Sequence, residues 1–127
     1  MAIIIQSCQN EGGITYKRYY VNGKGLYEKN CQNCHGADGK GLGTLYPPLT
    51  DSTFLIRNKS KLACIIRKGQ NETIQINNIS YQGSMPGNET LADIDIAQLI
   101  VYITNSFGNK QGFYDSSQVT KDLLSCK

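Results

Sequence analysis

The chain has 127 residues, enough for one domain that buries roughly two thirds of its extended surface and too few for a second core of ordinary size. Hydrophobic residues make up 39% and there are 13 glycines, so a small core with long loops is expected. A net charge of +3, from 13 Lys and Arg against 10 Asp and Glu, is too mild to point to a nucleic-acid partner, and no apolar run approaches the roughly 20 residues a membrane span needs.

In chain order, residues 1–8 form a short apolar stretch that ends at Cys8 and reads as a truncated export signal. Ile5-Gln6-Ser7-Cys8 is similar to a loose bacterial lipoprotein cleavage box, which implies a lipidated Cys8 and a membrane tether; a plain flexible leader is the alternative. Residues 9–19 carry Gly12-Gly13 and no sustained period. Residues 1–20 therefore read as a leader and 21–127 as the domain, with a C-terminal extension from about residue 109. Gly23, Leu26, Tyr27 and Asn30-Cys31 recur at intervals of three and four. This predicts a first helix over residues 22–33, with Cys31 and Cys34 on one side of its end and His35-Gly36 as its stop.

Residues 36–49, rich in glycine and closed by Tyr46-Pro47-Pro48-Leu49, read as a structured loop. Asp51 or Ser52 is placed to cap a short helix over residues 53–58. Ser60 is placed to cap another over 61–67 that Gly69 ends, with Leu62, Ile65 and Ile66 facing the core. Residues 71–90 show only a brief Thr73-Ile74-Gln75-Ile76 alternation among the turn markers Asn77, Asn78, Gly83, Pro86 and Gly87, and they include Met85. Thr90 or Asp93 then opens the most regular segment. There Ile94, Ala97, Leu99, Ile100, Tyr102, Ile103 and Phe107 give a helix with a broad apolar face, and Gly108 gives the stop. A short amphipathic tail through Val119, Leu123 and Leu124 follows. The segments together predict an all-α domain.

Five residues carry the chemistry. Cys31-Gln32-Asn33-Cys34-His35 puts two thiols one helical turn apart with a histidine directly behind the second. That spacing lets both sulfurs reach adjacent vinyl groups of a porphyrin while the turn holds the imidazole against the iron. A thioredoxin-like redox pair or half a zinc site would want a strand ahead of the motif or a second ligand pair. His35 is the single histidine, and no second Cys-x-x-Cys exists. The expected cofactor is therefore one haem c, covalently attached through Cys31 and Cys34, with His35 as an iron ligand. Of the other cysteines, Cys64 and Cys126 are candidates for a disulfide in an oxidising compartment; a buried Cys64 with a free Cys126 is the alternative.

With these residues in view, residues 23–107 resemble class I monohaem cytochrome c. The resemblance implies a cytochrome c-like fold whose N- and C-terminal helices cross around a covalently bound haem. Gly23 and Tyr27 stand eight and four residues before the first haem cysteine, as in that family, and would pack on Leu99 and Tyr102. Pro47 would accept a hydrogen bond from the axial histidine, with Leu49 beside it, and Met85 in Ser84-Met85-Pro86-Gly87 resembles the sixth ligand. Residues 70–83 fit short members of the family less well. Gln75, Asn77, Asn78, Tyr81, Tyr46 and Arg57 are all candidates for the propionates, with none singled out.

Coordination by His35 and Met85 would saturate the iron and leave one-electron exchange as the chemistry. No nucleophile or acid–base pair argues for an enzyme. The expectation is an electron carrier, monomeric, shuttling between a redox protein donor and an acceptor in the periplasm or on the outer face of a bacterial cytoplasmic membrane. A haem domain fixed in an oxidase, peroxidase or reductase complex and a gas-binding sensor are the alternatives. Two ionised propionates would lower the charge to about +1. Lys24, Lys29 and Lys40, with Lys59, Lys61, Arg67 and Lys68, suggest a weakly positive face for an acidic partner, or an ordinary solvated surface. The contact itself is expected around Gln32, Asn33, Pro86 and Gly87.

Overall fold

The computed structural model describes residues 11–126; Cys8 and its cleavage-box neighbours lie outside them. Helix α1 (Glu11–Asn30) and helix α5 (Asp93–Thr104) cross at the centre of the fold. In α1 the buried positions are Tyr19, Gly23 and Tyr27, a spacing of four that sets them on one face. Gly23 is the crossing point: a Cβ there would lie 2.0 Å from the Gln98 carbonyl oxygen and 2.8 Å from Tyr102 Cβ, so only glycine lets the helices approach this closely. The neighbour met beside Tyr102 is the Gln98 backbone, whereas the expected Leu99 turns toward a cavity described below. Tyr102 stacks its ring edge among Tyr20, Tyr27 and Phe107 at centroid distances of 5.1, 5.3 and 5.7 Å.

Helix α5 is buried from Ile96 to Thr104 except for Gln98, so it is apolar nearly all round and forms the core. Asp95 opens it by accepting from the Ala92 N–H at 2.9 Å. Ile94, expected on the apolar face, sits in the exposed first turn.

Helix α1 begins at Glu11, inside the stretch read as a leader, and ends at Asn30 rather than running to residue 33. The cause is distant in sequence. Tyr19 donates to Asp115 at 3.2 Å and meets the Phe113 ring at 4.7 Å, so the C-terminal segment holds the first turns of α1. A short second helix, α2 (Gln32–His35), carries the cysteine motif.

Asp51 caps α3 (Ser52–Arg57) by accepting from the Phe54 N–H at 2.8 Å. Ser60 caps nothing: it lies in a 3₁₀ turn, Lys59–Lys61, that leads directly into α4 (Leu62–Lys68). Strands β1 (Gly69–Gln70) and β4 (Met85–Pro86) pair antiparallel, as do β2 (Ile74–Ile76) and β3 (Ile79–Tyr81). The turn of the second pair is Asn77-Asn78, both at positive φ (51° and 64°), as a two-residue hairpin turn of matching twist requires. The all-α expectation is thus corrected to a mainly helical fold with two short ladders. A three-residue alternation is too short to signal a strand alone and becomes one only when Tyr81 pairs with Ile74.

Helix α6 (Ser116–Leu123) closes the chain. Val119 is fully buried, Thr120 donates to Asp93 at 2.6 Å, and Tyr114 hydrogen-bonds the Asp122 carboxylate. Leu124, expected on the apolar face, is 84% exposed. Cys126 forms a disulfide with Cys64 of α4 across a sequence separation of 62 residues, which settles the cysteine alternatives in favour of pairing. Among the described residues no helix is long and apolar enough to cross a membrane.

Gly23→Ala is expected to cost about 3 kcal/mol through overpacking at the crossing, read as a lower denaturant midpoint. Replacing Cys64 and Cys126 together by serine is expected to cost about 4 kcal/mol on the chain-entropy estimate for a loop of this length, read by the same unfolding measurement.

Candidate functional site

The end of α1 passes straight into the cysteine motif. The Cys31 N–H still donates to Tyr27 O at 2.8 Å, and the His35 N–H donates to Cys31 O at 3.0 Å, so the five residues form a tight turn against the helix terminus. Tyr27, buried in the helix crossing, donates its hydroxyl to Gly36 O at 2.5 Å. The packing core and the motif are therefore pinned to each other by one side chain.

The loop after the motif folds back over His35. Gly41 donates to His35 O at 2.8 Å, Leu49 to Gly39 O at 2.6 Å, and Leu42 bridges Tyr46. Gly41 makes this possible: at φ +69° its missing Cβ would stand 2.1 Å from Tyr46 O and 2.7 Å from Pro47 O. The result is a 3.0 Å hydrogen bond between His35 Nδ1 and Pro47 O. A carbonyl can only accept, so the proton sits on Nδ1 and Nε2 keeps its lone pair. Burial holds the His35 pKa below the ordinary imidazole value, with the Pro47 carbonyl working against it, so the neutral ring is favoured.

His35 opens onto an apolar cavity, about 1100 Å³ of space with its open mouth counted in. Leu55, Leu62, Leu99 and Ile103 form its buried wall, and Ile76 and Tyr81 of the hairpin close one side. Cys31, Cys34, Pro47 and Met85 line the same space. Burial first, and the neighbouring Cys34 second, push the Cys31 thiol up to about 11. Met85 is held in register opposite Gln70 by the β1–β4 ladder. Two further bonds anchor that segment, from the Asn88 N–H to Ile66 O at 3.0 Å and from Asn88 to the Asn30 side chain at 3.2 Å. One neutral nitrogen donor and one thioether thus share an apolar chamber, a donor set that fits an iron porphyrin.

The expectation of one haem c attached covalently through Cys31 and Cys34 is corrected by the cysteine pairing. The cysteines the structure joins are Cys64 and Cys126, a structural disulfide with sulfurs 2.01 Å apart, while Cys31 and Cys34 carry free thiols. The physical reason is helix packing: α6 lies along α4, which brings Cys126 to a Cα–Cα distance of 5.5 Å from Cys64.

Two supports of the site went unseen in the sequence. Asn109, nearly fully buried, donates to Leu49 O at 2.8 Å and Ile103 O at 3.0 Å and accepts from the Ser52 hydroxyl, tying the Pro47–Leu49 loop to the end of α5. It stands next to a glycine in a polar stretch and looks like an ordinary turn residue. The hairpin wall had a signal, the Ile74–Ile76 alternation beside Asn77-Asn78, but read as a polar loop. None of the propionate candidates is singled out by its contacts. Asn109→Ala is expected to cost about 3 kcal/mol by stranding buried carbonyls, read as a lower denaturant midpoint with faster amide exchange at Leu49.

Residues 20–103 match the family described as cytochrome C oxidase, cbb3-type, subunit III. The chain is 31% identical over 105 residues to the cytochrome c subunit of alcohol dehydrogenase (quinone) from Gluconacetobacter polyoxogenes, covering 80% of this chain and 22% of that one. The corresponding subunit from Komagataeibacter europaeus matches to the same extent. The fructose dehydrogenase cytochrome subunit of Gluconobacter japonicus is 31% identical over 103 residues, 78% of this chain and 21% of its own. The chain therefore spans about a fifth of the length of the curated relatives it matches. Among the described residues no three His, Cys, Asp or Glu side chains gather into a metal cluster. The chain belongs to the cbb3-type cytochrome c oxidase subunit III family, as a cytochrome c-type electron-transfer domain related to the cytochrome c subunits of oxidases and dehydrogenases.

Proposed function

We propose that this domain passes single electrons within a larger oxidase or dehydrogenase assembly, through an iron porphyrin seated in the cavity between His35 and Met85. The observation that carries this reading is the Nδ1–Pro47 bond, which leaves Nε2 as a neutral donor inside an apolar chamber that Met85 shares. When bound, the porphyrin supplies a ferric/ferrous couple that exchanges one electron. The protein's part is positional. His35 is held in one tautomer by Pro47, and the thioether of Met85 is a soft neutral group that favours the ferrous state. Leu55, Leu62, Leu99 and Ile103 exclude water, which keeps reorganisation small when charge changes.

A fixed role is favoured over a free shuttle because the matching family and relatives are named as subunits. A site in the periplasm or on the outer face of the bacterial cytoplasmic membrane is supported by the Cys64–Cys126 disulfide, since such bonds persist in oxidising compartments. A lipid tether at Cys8 would fit that placement and rests on the cleavage-box resemblance alone.

Optical spectra of the purified protein, oxidised and reduced, with and without carbon monoxide, test the site. Low-spin iron, a near-infrared sulfur-to-iron band lost in Met85→Ala, and no response of the parent to carbon monoxide are expected. High-spin iron that binds carbon monoxide readily would replace this reading with a gas-binding haem protein. Recovery of the native chain in a stable stoichiometric complex supports the fixed subunit; a chain recovered alone would restore the shuttle.

A further inference from the structure

We propose that the mouth of the cavity docks an uncharged, apolar face of a partner protein, and that it does so without electrostatic steering. This rests on the reading of the cavity as the electron-transfer site. The rim is built by two segments, residues 41–50 and 73–88, and neither contains an Asp, Glu, Lys or Arg. They touch each other: Gly83 packs on the Leu45 carbonyl, where a Cβ would come within 2.7 Å, and Leu45 and Ser80 line one shallow depression. Of the residues lining the cavity, those that are also exposed are Leu45, Glu72, Gly83, Ser84 and Pro86, so the mouth carries a single ionisable group. Around it stand Leu42, Leu45 and Ile79, which are 61%, 53% and 43% exposed.

Of the charges at the edges of these segments, Glu89 pairs with Lys68 at 3.0 Å, Asp51 caps α3 and Asp38 accepts from the Lys40 N–H at 3.0 Å, while Glu72 makes no ion pair among the described residues. A charged partner face pressed onto this rim would shed its water and find Glu72 as its single possible counter-charge, whereas an apolar one sheds only unfavourable hydration. The basic face suggested by the lysines in the sequence is therefore not the rim of the site. An uncharged rim gives up the acceleration that complementary charges lend to a diffusing encounter. That is tolerable for a partner held in the same assembly and a handicap for a shuttle.

The first test mixes the spectroscopically characterised protein with anionic hexacyanoferrate or cationic tris(phenanthroline)cobalt. Salt is raised from about 0.01 M to about 0.15 M, over which the screening length falls from roughly 30 Å to roughly 8 Å. Electron-transfer rates are expected to change less than about twofold for either probe. Opposite, several-fold slopes for the two probes would show a charged mouth and overturn the proposal. The second test needs no redox group and uses another copy of the chain as the apolar partner. Amide NMR shifts followed with protein concentration are expected to move at residues 42–45 and 79–86, independently of salt. They are expected to vanish in Leu45→Glu, whose exposed position leaves the unfolding midpoint unchanged. Shifts centred on Lys59, Lys61 and Arg67, or a Leu45→Glu variant that behaves like the parent, would overturn it. A protein without a haem spectrum would instead end the reading of the cavity and leave the NMR result to judge the surface.

Discussion

The backbone contact of α1 with α5 at Gly23 sets the position of everything chemical in this protein. Because α1 has no side chain at that point, Tyr27 lies one turn further on at the depth of the core, where its hydroxyl reaches Gly36. The cysteine motif follows immediately, so a packing constraint between two helices becomes a positional constraint on His35. A larger residue at 23 would move the motif relative to α5, whose Leu99 and Ile103 form the far wall of the cavity.

The loop and the C-terminal extension complete what the helix crossing begins. Gly41 admits the Pro47 carbonyl to His35, and Asn109 fastens Leu49 to the end of α5, so the ring is fixed by a loop that is itself fixed by the core. Beyond Asn109 the chain returns across three helices in turn: Asp115 to Tyr19 on α1, Thr120 to Asp93 on α5, Cys126 to Cys64 on α4. The extension is thereby part of the domain and not an appendage. It supports helices whose other ends form the site, which a chain with so small a core needs.

The polarity of the molecule is divided in a way that suits electron transfer at a fixed contact. Most charge lies on the helices and at their ends, while residues 41–50 and 73–88 around the cavity mouth are uncharged and Glu72 is the one Asp, Glu, Lys or Arg lining it. A low-dielectric chamber behind an apolar rim would keep solvent away from the proposed redox group and let two such surfaces meet with little water between them.

Gly23, Tyr27, Pro47 and Met85 were named by the family resemblance; the motif Cys31 to His35 and the apolar period of α5 were legible in the residues themselves, because each depends on spacing within one segment. Local spacing fixes which side chains can share a helix face or a turn, and that suffices to name the candidates. The start of α1, the hairpin wall, the role of Asn109, the pairing of Cys64 with Cys126 and the His35–Pro47 bond were decided by the tertiary structure. Each joins residues from separate segments, and the free energy that fixes them comes from burial and hydrogen bonds that exist only once those segments pack. Tyr19 extends α1 because Asp115 lies 96 positions away and 3.2 Å distant; no property of residues 11–20 alone contains that bond.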